Sequence, residues 1–350
     1  MRFAQSLIPV RPQAIPLAHK ECEAISSVVI LVIQLVFSHN LKSMAKTPLR
    51  EFAANKYSQN GEDGIISEIL KRISENHPLD KWCVEFGAWD GVYLSNTCKL
   101  LREDNYRGVL IEGDPSKVVE LNRNFPSPEI IKICTMIGFT QNNSLDTILK
   151  QTSIPSDFDF LSIDIDGNDY HVFESLAKYH PKVVCIEFNP TIPIDVNFVQ
   201  SKDFKIKQGA SPKSIDYLAK SKGYTTVTAT SCNLILVRND LVNCVIDAET
   251  SLDSIFKEVP LPNPTYIFVG YDGTILSNKE SITLPWHGGI SIKFDELQVL
   301  PKNLRAFYPD YSVKQKLLFL MGRGRKNFKD KFKNIITNFL KNLRTKEHDF

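Results

Sequence analysis

The feature that most constrains the fold of this chain is a regular alternation of short apolar runs and helix-patterned segments after residue 80. The apolar runs have the length and composition of β-strands, and apolar residues recur at helical spacing in the segments between them. Strands that alternate with helices predict a parallel sheet built from right-handed βαβ units. The predicted strands are the run that ends in Glu85 and the segments 108–111, 130–136, 158–163 and 182–186.

The sequence after the fifth run predicts how this sheet is completed. A helix is expected over 211–222, with Gly223 as its C-cap. Two runs rich in β-branched residues, 224–229 and 233–238, follow and are joined by a short polar turn, which predicts a hairpin. A five-stranded parallel sheet that ends in a hairpin is the α/β, Rossmann-like arrangement of class I methyltransferases. We therefore predict a seven-stranded sheet with a terminal antiparallel hairpin and a small C-terminal extension.

The end of the first strand predicts the type of ligand. Glu85, Gly87 and Gly91 form the pattern Glu-x-Gly-x-x-x-Gly, and ligands of doubly wound sheets bind at the carboxyl ends of the strands. Gly87 allows a sharp turn close to a ligand, and the acid favours a ligand with a positive charge and hydroxyls, such as S-adenosylmethionine. A dinucleotide fingerprint would need glycine where Trp89 stands.

Further residues are expected to hold this cofactor. Glu112 follows the second strand, where an acid can accept two hydrogen bonds from a ribose diol. The polar segment before the first strand is predicted to start a helix over the cofactor mouth, although a capped surface helix fits the pattern equally. The predicted cofactor-binding residues are Gln59, Glu85, Gly87, Ala88, Gly91, Glu112 and Asp114.

Acids at the ends of the fourth and fifth strands are candidates for the chemistry. Methyl transfer to oxygen needs positioning and a base that takes the hydroxyl proton, and we predict Asp164, Asp166 and His171 as the catalytic residues. Asp164, Glu187 and Asn189 also carry the hard oxygen ligands that suit Mg²⁺. The alternatives are that His171 is a solvated residue near a helix start and that the acids cap helices and bind water.

Six motifs in order resemble the FkbM-type methyltransferases, over about residues 55–240. They are Tyr57-Ser-Gln-Asn-Gly-Glu-Asp-Gly64, Glu85-Phe-Gly-Ala-Trp-Asp-Gly91, Leu110-Ile-Glu-Gly-Asp-Pro115, Ser144-Leu-Asp-Thr-Ile-Leu149, Ser162-Ile-Asp-Ile-Asp-Gly167 and Ile186-Glu-Phe-Asn-Pro190. The resemblance implies S-adenosylmethionine-dependent O-methylation of a hydroxyl on a sugar, glycolipid or small metabolite. The chain departs from the family at Asp166, where the usual motif Asp-x-Glu-Gly has glutamate.

Two other functions remain open on the sequence. One is a binding module that kept the cofactor fold and lost turnover; the set of acids at Glu85, Glu112 and Asp164 argues against it. The other is a nucleotide-sugar or nicotinamide enzyme, which the Gly-x-x-x-Gly spacing and the terminal hairpin disfavour.

Charge is uneven along the 350 residues. The formal net charge is +2, but residues 321–350 hold nine Lys or Arg and three acids. This tail predicts a basic amphipathic helix that either contacts an anionic membrane or docks on its own domain. Nucleic acid is not expected, because no aromatic-and-glycine binding motif accompanies the charge. The apolar face comprises Phe328, Phe332, Ile335, Phe339, Leu340 and Leu343.

The remaining expectations concern compartment and organisation. Seven scattered cysteines without Cys-x-x-Cys spacing predict reduced thiols and a cytoplasmic protein. The apolar stretch 24–37 is short for a membrane span; it is either a signal anchor or lies before a true start at Met44. The predicted divisions are an N-terminal extension (1–43), the methyltransferase-like domain (44–240), a small β-containing extension (241–312) and the helical tail (313–350).

Overall fold

The computed structural model describes residues 46–322, except 141, 249 and 260. The chain divides into two compact units, Met1–Pro262 and Asn263–Phe350, which are treated separately below. The predictions for the stretch 24–37, for the start at Met44 and for the basic helix after residue 322 lie outside the described residues. Within residues 46–322, apart from those three positions, none of the helices has both the length and the apolar character that crossing a membrane requires.

The first unit is built on a seven-stranded sheet with the order β3-β2-β1-β4-β5-β7-β6. β1 to β5 pair in parallel, whereas β7 runs antiparallel to both of its neighbours. This confirms the predicted class I methyltransferase-like fold with its terminal hairpin. The strands are β1 (Trp82–Phe86), β2 (Arg107–Glu112), β3 (Ile130–Cys134), β4 (Phe160–Ile163), β5 (Val183–Glu187), β6 (Tyr224–Ala229) and β7 (Asn233–Arg238).

Helices cover both faces of this sheet, so its central strands β1, β4 and β5 are buried on both sides and are mostly apolar. Alternate residues of β1 contribute to different cores, Val84 to one cluster and Cys83 to the other. The first cluster also contains Ile215, and the second contains Ile69. The helices of the unit are α1 (Glu62–Ser74), α2 (Cys98–Glu103), α3 (Pro115–Asn124), α4 (Leu145–Leu149), α5 (Asp169–Ser175), α6 (Pro212–Ser221), α7 (Val242–Val245) and α8 (Leu252–Glu258).

The structure shortens two predicted strands. The fourth, expected over 158–163, begins at Phe160. The third was expected to reach Met136, but β3 ends at Cys134, which is also its last pair with β2. Helix α5 ends at Ser175, since Leu176 is extended and the Asp146 carboxylate accepts the backbone N–H groups of the next two residues at 2.9 and 3.0 Å. Both strands of the hairpin have the predicted bounds.

The sheet order places a crevice between the first and fourth strands. β1 pairs with β2 on one side and with β4 on the other. The chain therefore adds β2 and β3 towards one edge of the sheet and then crosses back past β1 to add β4 and β5 towards the other edge. Such a switch point opens a crevice outside the carboxyl ends of the strands, where ligands bind.

The second unit is small and has two hairpins. β8 (Ile267–Val269) pairs with β9 (Ile275–Ser277), and β10 (Ser281–Leu284) pairs with β11 (Ile290–Lys293). The described part ends with α9 (Val313–Gly322).

Candidate functional site

The loops after β1 and β4 touch each other at the crevice. Gly87 has φ +70°, and a Cβ on it would lie 2.0 Å from the carbonyl oxygen of Asp164. A side chain is therefore excluded both by the backbone conformation and by the opposite loop. The glycine that the sequence assigned to a ligand turn is also required for contact between the two strand ends.

Glu85 lies below this contact, where protein groups surround its carboxylate. Its oxygens accept hydrogen bonds from the Ser95 hydroxyl (2.6 Å), the Thr97 hydroxyl (2.7 Å) and the backbone N–H of Asn96 (2.9 Å). The residue is only 5% exposed, and burial raises the pKa of Glu85 although these three hydrogen bonds lower it. Through these hydrogen bonds Glu85 holds the 95–97 turn in place.

Glu112 joins the turns that follow the first two strands. It accepts the backbone N–H groups of Trp89 and Asp114, each at 2.8 Å. A carboxylate has about four acceptor positions, so Glu112 keeps capacity for a further donor such as a hydroxyl. This is the position at which the sequence predicted a ribose contact.

The other predicted cofactor residues divide into turn and cap positions. Ala88 is buried, and Gly91 has φ +75° and packs where a Cβ would meet Leu121 and Phe125. Asp114 is the N-cap of α3, because its side chain accepts the backbone N–H of Ser116 at 2.8 Å. The Ser116 hydroxyl, which donates to the same carboxylate at 2.7 Å, and this backbone N–H lower the pKa of Asp114. An aspartate followed by proline is a recognised helix-start signal, which the sequence already displays at Asp114-Pro115.

The segment before α1 is tied to the terminal hairpin by an acid that sequence reasoning did not single out. Glu62 is fully buried and accepts the Thr230 hydroxyl (2.6 Å), the Asn233 side-chain amide (3.1 Å) and the backbone N–H of Asn60 (2.7 Å). Gln59 is exposed, and its amide lies 3.7 Å from the sulfur of Cys232. These contacts tie the segment to β7 and to the turn before it, and its position over the cofactor mouth stays a prediction.

Asp63 fixes the same segment from inside. One of its carboxylate oxygens accepts the backbone N–H groups of Lys56, Tyr57 and Ser58, at 2.8, 2.7 and 2.9 Å. The motif Tyr-Ser-Gln-Asn-Gly-Glu-Asp is therefore a folded turn whose last two acids hold it together.

Three acids converge at the ends of β4 and β5. Asp164, Asp166 and Glu187 each place a carboxylate oxygen within 4.8 Å of the others. Burial and then repulsion by the neighbouring carboxylates raise the pKa of Asp164 to about 7, and the same two causes raise the pKa of Glu187 still further. We call Asp164, Asp166 and Glu187 the acid group. It is a site at which protons or a cation would neutralise excess negative charge.

Asp169 shapes the loop that carries two members of the acid group. Its carboxylate accepts the backbone N–H groups of Ile165 and Gly167, each at 2.8 Å, and Asp166 adopts φ +55° between them. The Lys207 ammonium donates to the Ile165 carbonyl oxygen at 2.9 Å.

His171 lies in a different environment from the acid group. Its Nε2 lies 2.9 Å from the carbonyl oxygen of Gln200, and the rings of Phe139 and Tyr170 pack edge-on against it. The Gln200 side chain in turn accepts the backbone N–H groups of Gln208 and Gly209, each at 2.8 Å. These contacts assign His171 to holding the 200–209 segment, so its role as a base stays a prediction that they do not favour.

Asn189 likewise serves its own loop. Its side-chain oxygen accepts from the backbone N–H and the hydroxyl of Thr191 at 2.9 and 2.6 Å, and its amide donates to the carbonyl oxygen of Gln208 at 2.9 Å. Of the predicted Mg²⁺ ligands, Asp164 and Glu187 come together with Asp166, whereas the Asn189 side chain is engaged by Thr191 and Gln208.

The comparison with protein families finds one match. The model of the methyltransferase FkbM domain matches residues 139–225. The resemblance to FkbM methyltransferases is confirmed. The FkbM segment covers about a quarter of the chain, and it includes the acid group, Asp169 and His171. The comparison with curated proteins found no match.

Solved structures that are similar to the chain include several methyltransferases. The CMeT domain of a citrinin polyketide synthase has 12% identity and a TM-score of 0.34, over 52% of this chain and 54% of that chain. A S-adenosylmethionine-dependent methyltransferase from Clostridium acetobutylicum has 10% identity and a TM-score of 0.32, over 59% of this chain and 99% of that one. The matched part thus spans about half the length of the first. These TM-scores are low and carry no argument, so the fold assignment rests on the strand order.

Proposed function

We propose that the chain is an S-adenosylmethionine-dependent methyltransferase that methylates a hydroxyl on a sugar, glycolipid or small metabolite. The observation that carries the proposal is the acid group at the carboxyl edge of the sheet, inside the FkbM segment. A cluster of partly buried carboxylates beside a switch-point crevice suits a cationic ligand and a reaction that releases a proton.

The first two strand ends supply the binding surface in this proposal. Gly87 puts no side chain between the turn after β1 and the end of β4, and Glu112 has acceptor positions left for ribose hydroxyls. Glu85 acts indirectly, by fixing the 95–97 turn beneath the crevice. When bound, S-adenosylmethionine supplies a methyl group on a positively charged sulfur.

Asp164 is the proposed base. The acceptor oxygen forms the new bond to the methyl carbon as the carbon–sulfur bond breaks, and Asp164 takes the proton that the hydroxyl loses. Its pKa of about 7 suits that task near neutral pH, because a base works best when its pKa lies close to the working pH. Glu187, whose pKa is higher, keeps its proton and donates a hydrogen bond to the acceptor.

Mg²⁺ is a second cation that the acid group suits. Its three carboxylates offer oxygen ligands within 4.8 Å of one another, and Mg²⁺ prefers such ligands. A bound ion would keep all three acids deprotonated. For that reason the assays below are run both with added Mg²⁺ and with a chelator.

The test is release of S-adenosylhomocysteine by the full chain in the presence of a panel of hydroxylated sugars, glycolipids and small metabolites. The proposal predicts turnover with at least one acceptor class and loss of turnover in Asp164→Asn, with cofactor affinity kept. Cofactor binding without turnover across the panel would instead favour the non-catalytic binding module. Binding of NAD in place of S-adenosylmethionine would favour the nicotinamide enzyme.

A further inference from the structure

The two units differ in how many large apolar side chains they expose to solvent. Among the described residues, nine such side chains are exposed in residues 46–262, and sixteen are exposed in the much shorter range 263–321. Single exposed apolar residues are normal, but a concentration of them marks an interaction surface.

α9 carries the most regular part of this surface. Phe319 packs with the rings of Tyr308 and Tyr311 at centroid distances of 5.3 and 5.8 Å, and the Gln315 amide donates to the carbonyl oxygen of Asn303. These contacts fix one side of the helix on the second unit. The other side of α9 makes none of these contacts and is available to a binding partner.

The opposite side of α9 is apolar and faces solvent. Val313, Leu317, Leu320 and Met321 are 77%, 55%, 55% and 61% exposed. Their spacing of four, three and one residues puts them on one stripe of an α-helix. We call these four residues the α9 face.

Lysines border the α9 face on both sides. At about 100° per residue, Lys314 and Lys316 fall on opposite flanks of the stripe, and both are exposed. Long lysine side chains can lay their methylene groups along an apolar surface while the ammonium stays at a polar boundary. An apolar stripe with a cationic rim matches the boundary between phospholipid headgroups and acyl chains.

The sequence that follows adds charge of the same sign. Residues 323–350 hold nine Lys or Arg and three acids, directly after the α9 face. Basic segments near an apolar surface strengthen attraction to anionic lipids, by about 1 kcal/mol per residue close to the membrane. Two identical cationic faces would instead repel each other, which disfavours a second copy of the chain as the occupant.

We propose that the second unit docks on an anionic phospholipid surface through the α9 face, with Lys314 and Lys316 contacting the headgroups. Val313, Leu317, Leu320 and Met321 enter the interface. The proposal does not depend on the methyltransferase assignment, because no residue of the first unit takes part in it.

The test is flotation of the full chain with vesicles of pure phosphatidylcholine and vesicles of phosphatidylcholine mixed with phosphatidylserine. We expect binding to the mixed vesicles, weakened by salt, and little binding to the neutral ones. The double variant Leu317→Glu/Leu320→Glu should bind at least about tenfold more weakly, since it removes apolar area and adds charge that the lipids repel. Val119→Glu is the matched control, because Val119 is an exposed apolar residue on a helix of the first unit.

Each of the other outcomes would overturn the proposal. Equal binding of the double variant and the wild type would mean that the basic sequence binds lipid without the α9 face. Absence of binding to both kinds of vesicle would exclude a lipid surface. Dimerisation in solution that the double variant abolishes would make the α9 face a contact between two copies. Circular dichroism and the melting temperature of the double variant establish that it is folded before any binding is compared.

Discussion

The acids that follow β1 and β2 and those that follow β4 and β5 look alike in sequence but differ in their surroundings. Glu85 receives three hydrogen bonds and Glu112 receives two, all from protein groups. The acid group of β4 and β5 instead has carboxylates as close neighbours, and burial together with their repulsion raises the pKa of Asp164 and of Glu187.

This difference separates stability from chemistry within one edge of the sheet. A buried carboxylate with several donors stabilises the turns around it, and its loss leaves those donors unpaired. Carboxylates crowded together destabilise the ligand-free protein and are retained where a ligand or a reaction uses them. In the proposed function, the first pair therefore forms the wall of the crevice, and the acid group forms its reactive side.

The largest expected effect is on stability and comes from removing the carboxylate of Glu85. Glu85→Ala should lower the free energy of unfolding by about 3 kcal/mol, because two hydroxyls and a backbone N–H lose a buried partner. Urea denaturation followed by circular dichroism measures this. Glu129→Ala is the control and should change stability little, since Glu129 is exposed. Equal stabilities of the two variants would break the comparison.

The next effect concerns turnover. Asp164→Asn should reduce kcat by about a hundredfold, the size expected when a general base is lost, while S-adenosylmethionine binding changes little. Glu112→Gln should show the reverse, with weaker cofactor binding and a smaller change in kcat. Single-turnover kinetics and calorimetry separate the two. If Asp164→Asn keeps full kcat, Asp164 has no part in the chemistry.

A smaller effect is expected in the dependence of stability on pH. The folded-state pKa values of Asp164 and Glu187 are raised, so the folded protein holds protons that the unfolded chain releases. Their contribution is therefore fully present below the ordinary carboxyl pKa and is lost as pH rises, through about 7 for Asp164 and higher for Glu187. Glu187→Gln removes one of these two groups.

The melting temperature of Glu187→Gln should accordingly exceed that of the wild type by an amount that grows to about a few degrees between acidic and mildly alkaline pH. Differential scanning calorimetry without ligand measures this gap. Asp195→Asn, at an exposed acid of the same unit, should show a constant gap. A gap for Glu187→Gln that does not change with pH would mean that the acid group is not under electrostatic strain.

The smallest effect is expected at Asp114, an exposed acid two residues after Glu112. Asp114→Ala removes the N-cap of α3 and should lower the melting temperature slightly, because the first backbone N–H groups of the helix lose an acceptor. Cofactor affinity should stay within error of the wild type. A clear loss of S-adenosylmethionine affinity at unchanged stability would return Asp114 to the binding site that the sequence predicted.

Local sequence patterns predicted the strands of the sheet well, because residues close together in the sequence determine where a strand or a turn forms. The strands 224–229 and 233–238 have the predicted bounds, since β-branched runs with a polar turn between them specify a hairpin. The sequence also predicted that acids from different strands lie at the same edge of the sheet, because the carboxyl ends of parallel strands meet there.

The tasks of individual site residues depended on partners far away in the chain. Nothing near Glu62 reveals that Thr230 and Asn233 donate to it, and nothing near His171 reveals its contact with Gln200. The same holds for Asn189, whose amide bonds to the backbone of Gln208. Spacing predicts which residue types reach the crevice, whereas hydrogen bonds across the fold decide which of them remain available to a ligand.

The most direct test of the central claim is calorimetric titration of S-adenosylmethionine into the full chain, with NAD as the control ligand and with and without Mg²⁺. The account predicts saturable binding of S-adenosylmethionine, weaker binding in Glu112→Gln, and no binding of NAD. Absence of S-adenosylmethionine binding under every one of these conditions, in a protein shown to be folded, would contradict it.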